Sequence, residues 1–84
     1  MNSEEVCGHI QTIVDRLLQQ KGLPLVPLTQ ETRFLDGQVP IDSLDLAVLV
    51  TELEQATKVD PFKEGFRNFR TVGELAGLYA DSAK

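Results

Sequence analysis

Ser43 is the residue whose type and position in this sequence most clearly suggest chemistry. It lies in the segment PIDSLDL, residues 40–46, at the first turn of a predicted helix. A hydroxyl there either caps the helix by accepting a backbone N–H or is available for covalent modification. The sequence places no histidine or cysteine near it, and it contains no glycine-rich phosphate loop and no cluster of metal ligands. We therefore do not expect an enzyme, and another protein must supply the chemistry at Ser43.

The helix that Ser43 begins has two apolar faces. We predict this helix over residues 43–57, with about 100° of rotation per residue. The inward face is predicted to contain Leu46, Leu49, Val50, Leu53 and Ala56. The second face is formed by Leu44, Ala47, Val48 and Thr51. Since one apolar face is enough to cover a core, the second predicts a surface on which a partner docks.

Asp42-Ser43-Leu44 resembles the motif that opens the second helix of acyl carrier proteins. The tripeptide lies near the middle of an acidic, predicted all-helical chain, and the resemblance covers essentially all 84 residues. It implies that Ser43 carries a covalent 4′-phosphopantetheine arm derived from coenzyme A, with acyl groups held on its thiol as thioesters. It also implies several partners: a phosphopantetheinyl transferase, a ligase that loads acyl or aminoacyl groups, and downstream synthase or transferase enzymes.

The carboxylates beside Ser43 have a predicted role of their own. Asp42 and Asp45 would repel a phosphodiester on Ser43, which indicates partner recognition rather than phosphate stabilisation. Asp42 is also a candidate N-cap of the helix, and the two roles are compatible. The predicted partner-binding residues are Asp42, Leu44, Asp45, Ala47, Val48 and Thr51.

Two departures from the family pattern leave the cargo open. Residues 39–41, VPI, precede the motif where fatty-acid carriers commonly have a glycine, and Val48 occupies a position that is often acidic in them. An aminoacyl, hydroxyacyl or polyketide-type cargo is therefore at least as compatible as a fatty acyl group. The alternative function is an unmodified helical adaptor that binds proteins through Leu44, Ala47 and Val48.

Composition narrows the classes of partner. Thirteen acidic and eight basic residues give a net charge of −5, which disfavours nucleic acid and anionic membranes and favours enzymes with basic docking surfaces. The N-terminal residues MNSEE lack the basic start of a secretory signal, and no apolar run approaches the length of a membrane span. We expect a single-domain, monomeric, cytoplasmic protein.

The remaining pattern predicts an all-α, four-helix bundle with a long first loop, in which three helices are long and one is short. The first helix is predicted over residues 3–20, capped by Asn2 or Ser3 and ended by Gly22. The loop over residues 21–41 should be ordered because apolar side chains anchor it. These anchors are Leu25, Val26, Leu28, Phe34, Leu35, Val39 and Ile41.

Two further helices complete the bundle. Asp60-Pro61 is a start signal for a short third helix over residues 61–68. Thr71 and Glu74 have the spacing of a capping box at the start of the fourth helix, which Gly73 and Gly77 should weaken. The fourth helix should face inward with Val72, Leu75, Ala76 and Tyr79.

Other residues that could carry chemistry have simpler interpretations. Cys7 is the only cysteine, so it forms no internal disulfide, and it is predicted to be a small buried hydrophobe. His9 is the only histidine and lies at the boundary of the first helix's apolar stripe. The spacing of Phe62, Phe66 and Phe69 predicts core packing rather than nucleic-acid stacking. No metal site is predicted, since the loop around Gly37 lacks the alternating oxygen ligands of a calcium site.

Overall fold

The computed structural model describes residues 2–34, 39–62 and 69–82, except for the side chains of residues 81 and 82. Within these ranges the chain forms three α-helices: α1 (Ser3–Gln20), α2 (Ser43–Thr57) and α3 (Val72–Ser82). The predicted bounds of the first two are confirmed. α1 packs against both α2 and α3, and none of the helices in these ranges has the length and apolar character needed to cross a membrane.

α1 begins and ends with complete capping motifs. Asn2 is the N-cap, its Oδ1 accepts the N–H of Glu5 at 2.8 Å, and the carboxylate of Glu5 accepts the N–H of Asn2 at 3.2 Å. At the other end Gly22 has a positive φ of 71°. Its N–H donates to the carbonyl of Gln19 at 3.0 Å, while the N–H of Leu23 donates to that of Leu18 at 2.9 Å. This is the Schellman arrangement, which a residue without a Cβ adopts at no steric cost.

The buried face of α1 forms the middle of the core. It contributes Val6, Ile10, Ile13, Val14, Leu17 and Leu18. Cys7 is half-buried beside this stripe and packs against the core, and burial raises the pKa of its thiol. The cysteine thus contributes to packing, as predicted, although its burial is only partial.

α2 buries less of itself than the predicted inward face requires. Leu49 and Leu53 are buried and Leu46 and Val50 are half-buried, but Ala56 is exposed, so its predicted inward position is wrong. Continuing from Leu53 at 100° per residue, the next inward direction lies closer to Thr57 than to Ala56. Thr57 is indeed half-buried.

The side chain of Gln11 joins the loop after α1 to that helix. Gln11 donates from Nε2 to the carbonyl of Val26 at 3.1 Å and accepts the N–H of Leu28 on Oε1 at 2.8 Å. Because an extended segment alternates its sides, Val26 and Leu28 turn toward the core and Leu25 turns away. Leu25 is 50% exposed, so its predicted role as an anchor is wrong.

Other predicted anchors do pack in the core. Phe34, Val39 and Ile41 are buried, whereas Leu35 lies outside the described residues. The loop is also joined to the start of α3, where Arg33 and Thr71 form an antiparallel bridge. The N–H of Phe34 donates to the carbonyl of Arg70 at 3.1 Å. The described part of the loop thus packs against α1 and the start of α3.

α3 begins with the predicted capping box. Oγ1 of Thr71 accepts the N–H of Glu74 at 3.1 Å, and the Glu74 carboxylate accepts the N–H of Thr71 at the same distance. Gly73 does more than weaken this helix, because its N–H donates to the Gln30 carbonyl at 3.0 Å and a Cβ there would lie 3.0 Å from that residue. The four residues predicted to face inward are all buried: Val72, Leu75, Ala76 and Tyr79.

The predicted short helix falls mostly outside the described residues. Pro61 and Phe62 form a turn, in which Oδ1 of Asp60 accepts the N–H of Phe62 at 3.0 Å. Residues 63–68, including Phe66, are not described. Phe62 and Phe69, on either side of that gap, pack against the core as predicted.

Candidate functional site

The site is built around the first turn of α2, where Asp42 and not Ser43 is the N-cap. Oδ1 of Asp42 accepts the N–H of Asp45 at 2.9 Å. Oδ2 of Asp45 accepts the N–H of Asp42 at 3.2 Å, which completes a capping box. The predicted N-cap role of Asp42 is confirmed. Ser43 is the first helical residue and is exposed, so its hydroxyl is not used to begin the helix.

The first turn of α2 is also joined to the end of α1. Nζ of Lys21 lies 2.6 Å from Oδ2 of Asp45. The hydrogen bond between them holds the pKa of Asp45 below its usual value and raises the pKa of Lys21. Asp45 is therefore ionised at neutral pH and has partners within the protein on both the helix cap and α1.

A second ion pair joins the same two helices farther along. Arg16 of α1 pairs with Glu52 of α2. Together with the pair between Lys21 and Asp45, it partly neutralises the acidic side of α2 that faces α1. The net negative charge of α2 available to a docking protein is thus smaller than its sequence alone indicates.

The second apolar face of α2 is exposed, as the helical pattern predicts. The side chain of Leu44 is 76% exposed and that of Val48 is 43% exposed, and Ala47 and Thr51 are also exposed. Thr51 donates its hydroxyl to the carbonyl of Ala47 at 2.9 Å, which satisfies the polar atom without a partner molecule. The face therefore presents apolar surface next to Ser43.

A cleft of about 520 Å³ opens beside Ser43. This volume is within the usual range of small-molecule sites. Its lining is almost entirely apolar, and Ser43 is one of the two hydroxyl residues in it. The lining residues are Ser43, Leu46, Ala47, Val50, Thr51, Phe62 and Phe69.

Aromatic rings form one wall of the cleft and continue into the core. The ring of Phe62 lies 6.1 Å from that of Phe69 and 6.3 Å from that of Tyr79, while Phe69 meets Phe34 edge to face at 5.9 Å. Such ring pairs stabilise one another through their quadrupoles. The wall is thus supported from behind by buried residues.

Tyr79 joins this wall to α2. Its hydroxyl donates to the carbonyl of Val50 at 3.0 Å. Burial raises the pKa of Tyr79 well above its usual value, and the negative charges of Glu54 and Asp60 act in the same direction. The phenol therefore stays protonated and remains a hydrogen-bond donor.

The cleft includes only part of the predicted set: Asp42, Leu44, Asp45 and Val48 do not line it. Ser43, Ala47 and Thr51, all from the predicted set, line one side of the cleft. Leu46 and Val50 were assigned to the core, yet they also line the cleft. Lys21 was missed because its contact with Asp45 spans the whole first loop and no local spacing signals it.

Neither a metal-binding cluster among the described residues nor a similarity to known proteins identifies the function of this site. Among the described residues no group of three or more histidine, cysteine, aspartate or glutamate side chains is arranged to hold a metal ion. Comparison of the chain with protein-family models, with curated protein sequences and with solved structures gives no match. The function must therefore be inferred from the residues and their geometry.

Proposed function

We propose that this chain is a discrete carrier protein, with Ser43 as the attachment site of a 4′-phosphopantetheine arm. The proposal rests on one observation at the start of α2: Asp42 caps the helix, so Ser43 is not needed as the cap and is exposed. The resemblance of Asp42-Ser43-Leu44 to acyl carrier proteins names the modification. Acyl, aminoacyl or hydroxyacyl groups would travel on the thiol of the arm as thioesters.

The chemistry of attachment needs groups from a partner enzyme. Oγ of Ser43 would attack the phosphorus that bears the pantetheine in coenzyme A, forming an O–P bond while the pyrophosphate bond breaks. Adenosine 3′,5′-bisphosphate leaves, and a base of the transferase takes the hydroxyl proton. This chain contributes an exposed nucleophile at a helix N-terminus, where backbone N–H groups favour an anion by about 0.3 to 1 kcal/mol.

The surroundings of Ser43 support a carrier in two further ways. The cleft of about 520 Å³ offers apolar surface at the point where the arm would begin. The exposed side chains of Leu44 and Val48 offer a second apolar surface on the same helix. A carrier needs both: surface for its cargo, and surface for the enzymes that load and unload it.

Intact mass spectrometry tests the proposal directly. Incubation with coenzyme A and a broad-specificity phosphopantetheinyl transferase should add one phosphopantetheinyl group to the chain. Ser43→Ala should remove this gain and leave the helical circular dichroism nearly unchanged, whereas Ser3→Ala, the matched control, should be modified normally. A gain that persists in Ser43→Ala would show that another residue is the acceptor.

The second candidate is an unmodified adaptor, favoured by the 76% exposure of Leu44. Val48→Glu separates the two functions. For a carrier it should lower the kcat/KM of the transferase or loading ligase while barely changing the free energy of unfolding. If no mass gain occurs with any transferase and Val48→Glu still abolishes binding to a protein partner, the adaptor function is the correct one.

A further inference from the structure

Lys21 reaches the surroundings of Ser43 from another helix. Its ammonium group lies 2.6 Å from Oδ2 of Asp45, and the same oxygen accepts the N–H of Asp42 at 3.2 Å. One carboxylate oxygen is therefore shared by the residue that follows α1 and by the capping box of α2. Since Ser43 lies between Asp42 and Asp45, Lys21 acts on the first turn of α2 through Asp45.

Of the two side chains in this contact, that of Asp45 is the more shielded from solvent. The Asp45 side chain is 16% exposed and that of Lys21 is 35% exposed. The pKa of Asp45 is lowered and that of Lys21 is raised by their hydrogen bond, so both groups are charged at neutral pH.

The charge balance of this turn makes Lys21 important for an anion on Ser43. Asp42 and Asp45 already place two carboxylates in the turn, and a phosphodiester would add a third negative charge beside them. Residues 42–45 contain no basic side chain. A second cation that pairs with α2, Arg16, is bound to Glu52, two helical turns away.

We propose that Lys21 is a positioning residue for Ser43: it holds the capping box of α2 through Asp45 and offsets the negative charge that modification of Ser43 brings to the turn. The role in modification rests on the proposed function. The offset of charge does not, because any anion at position 43 would experience it. The two can therefore be tested separately.

The offset of charge is tested by a double-mutant cycle without any transferase. Ser43→Asp and Ser43→Asn differ mainly in charge, and each is made alone and together with Lys21→Gln. The ratio of the unfolding equilibrium constant of Ser43→Asp to that of Ser43→Asn, measured in urea at low salt, should be roughly two- to fivefold larger with Lys21→Gln than with Lys21 present. Near 1 M salt, where the Debye length is about 3 Å, most of this difference should disappear.

Arg16→Gln is the matched control for the cycle. It removes the other ion pair between α1 and α2, so it reports any general effect of loosening the two helices. The difference between Ser43→Asp and Ser43→Asn should be the same with and without Arg16→Gln. An equal effect of Lys21→Gln and Arg16→Gln, or no effect of Lys21→Gln, would overturn the inference.

The role in modification is tested with the transferase. Lys21→Gln should lower kcat/KM for phosphopantetheine transfer, and Lys21→Arg, which keeps the charge, should restore most of it, whereas Arg16→Gln should have little effect. If Lys21→Gln and Ser43→Asp are coupled in the cycle but the transferase adds no phosphopantetheine, Lys21 is the counter-cation of this turn and the carrier function is rejected. A mass gain without coupling would reject the role of Lys21 and keep the carrier function.

Discussion

α1 and α2 differ in how much of their apolar surface the fold buries. α1 buries six residues as one continuous stripe because α2 and α3 both pack against it. α2 buries only Leu49 and Leu53. Its Leu44 and Val48 remain exposed. Burial therefore depends on what packs against a helix as well as on its own sequence, and the apolar surface that α2 retains is available for binding.

The largest expected effect comes from truncating the same residue type on the two sides of α2. Leu49→Ala should lower the free energy of unfolding by about 2 to 5 kcal/mol, because Leu49 is fully buried. Leu44→Ala should change it by less than about 0.5 kcal/mol, because Leu44 is 76% exposed. Urea unfolding measures both, and equal costs would mean that the two faces of α2 are assigned incorrectly.

A smaller effect is expected where α3 meets α2. Tyr79→Phe removes the hydroxyl that donates to the Val50 carbonyl and keeps the ring that packs on Phe62. Loss of one such hydrogen bond should lower the free energy of unfolding by about 1 kcal/mol. Thermal unfolding followed by circular dichroism would detect the change. An unchanged midpoint would show that the hydroxyl does not hold α2 in place.

The end of α2 offers a change in the opposite direction. Lys58, the C-cap, has a left-handed backbone with φ 61°, which disfavours residues with a Cβ. Lys58→Gly should therefore stabilise the protein by about 1 kcal/mol. α1 already has Gly22 in the left-handed conformation at its end. Lys58→Ala is the control, and if it stabilised as much as Lys58→Gly in urea unfolding, backbone strain would not be the cause.

The smallest effect concerns acid stability. Its hydrogen bond with Lys21 holds the pKa of Asp45 below its usual value, so the folded protein binds fewer protons at this group than the unfolded chain does. This contribution to stability is present above the unfolded pKa of about 4 and is lost as the pH falls through the folded pKa. Asp45→Asn should reduce the loss of stability between about pH 5 and pH 2, measured by urea unfolding. If Asp45→Asn lost stability at acid pH as steeply as the natural protein, the pair of Lys21 and Asp45 would not contribute to acid stability.

Much of the fold could be predicted because its signals are local. The capping residues Asn2, Asp42 and Thr71 have their partners three residues away, so their spacing is visible in the sequence. The bounds of α1 and α2 followed from those caps and from helical periodicity. The predicted burial was wrong for Ala56, in the last turn of α2, and for Leu25, in the extended part of the loop. At both positions the side chain turns away from the core.

The site was predicted in part for the same reason. Ser43 and the exposed face of α2 follow from one helix and its periodicity. The cleft does not, because its wall combines α2 with Phe62 and Phe69, which only the packing of the chain brings together. Lys21 also could not be predicted, since no periodic pattern relates it to Asp45 across the loop.

The sequence by itself determined the helices, their caps and the exposed serine at the start of α2, since each depends on neighbours within a few residues. It also determined the acidic balance of the chain, which depends on composition alone. The tertiary structure alone decided three further features. These are the cleft beside Ser43, the contact between Lys21 and Asp45, and the close approach of Gln30, which would have to shift to admit a Cβ at Gly73. Their common physical reason is that each joins segments far apart in the chain, so it exists only once the three helices, the long loop and the segment before α3 have packed together.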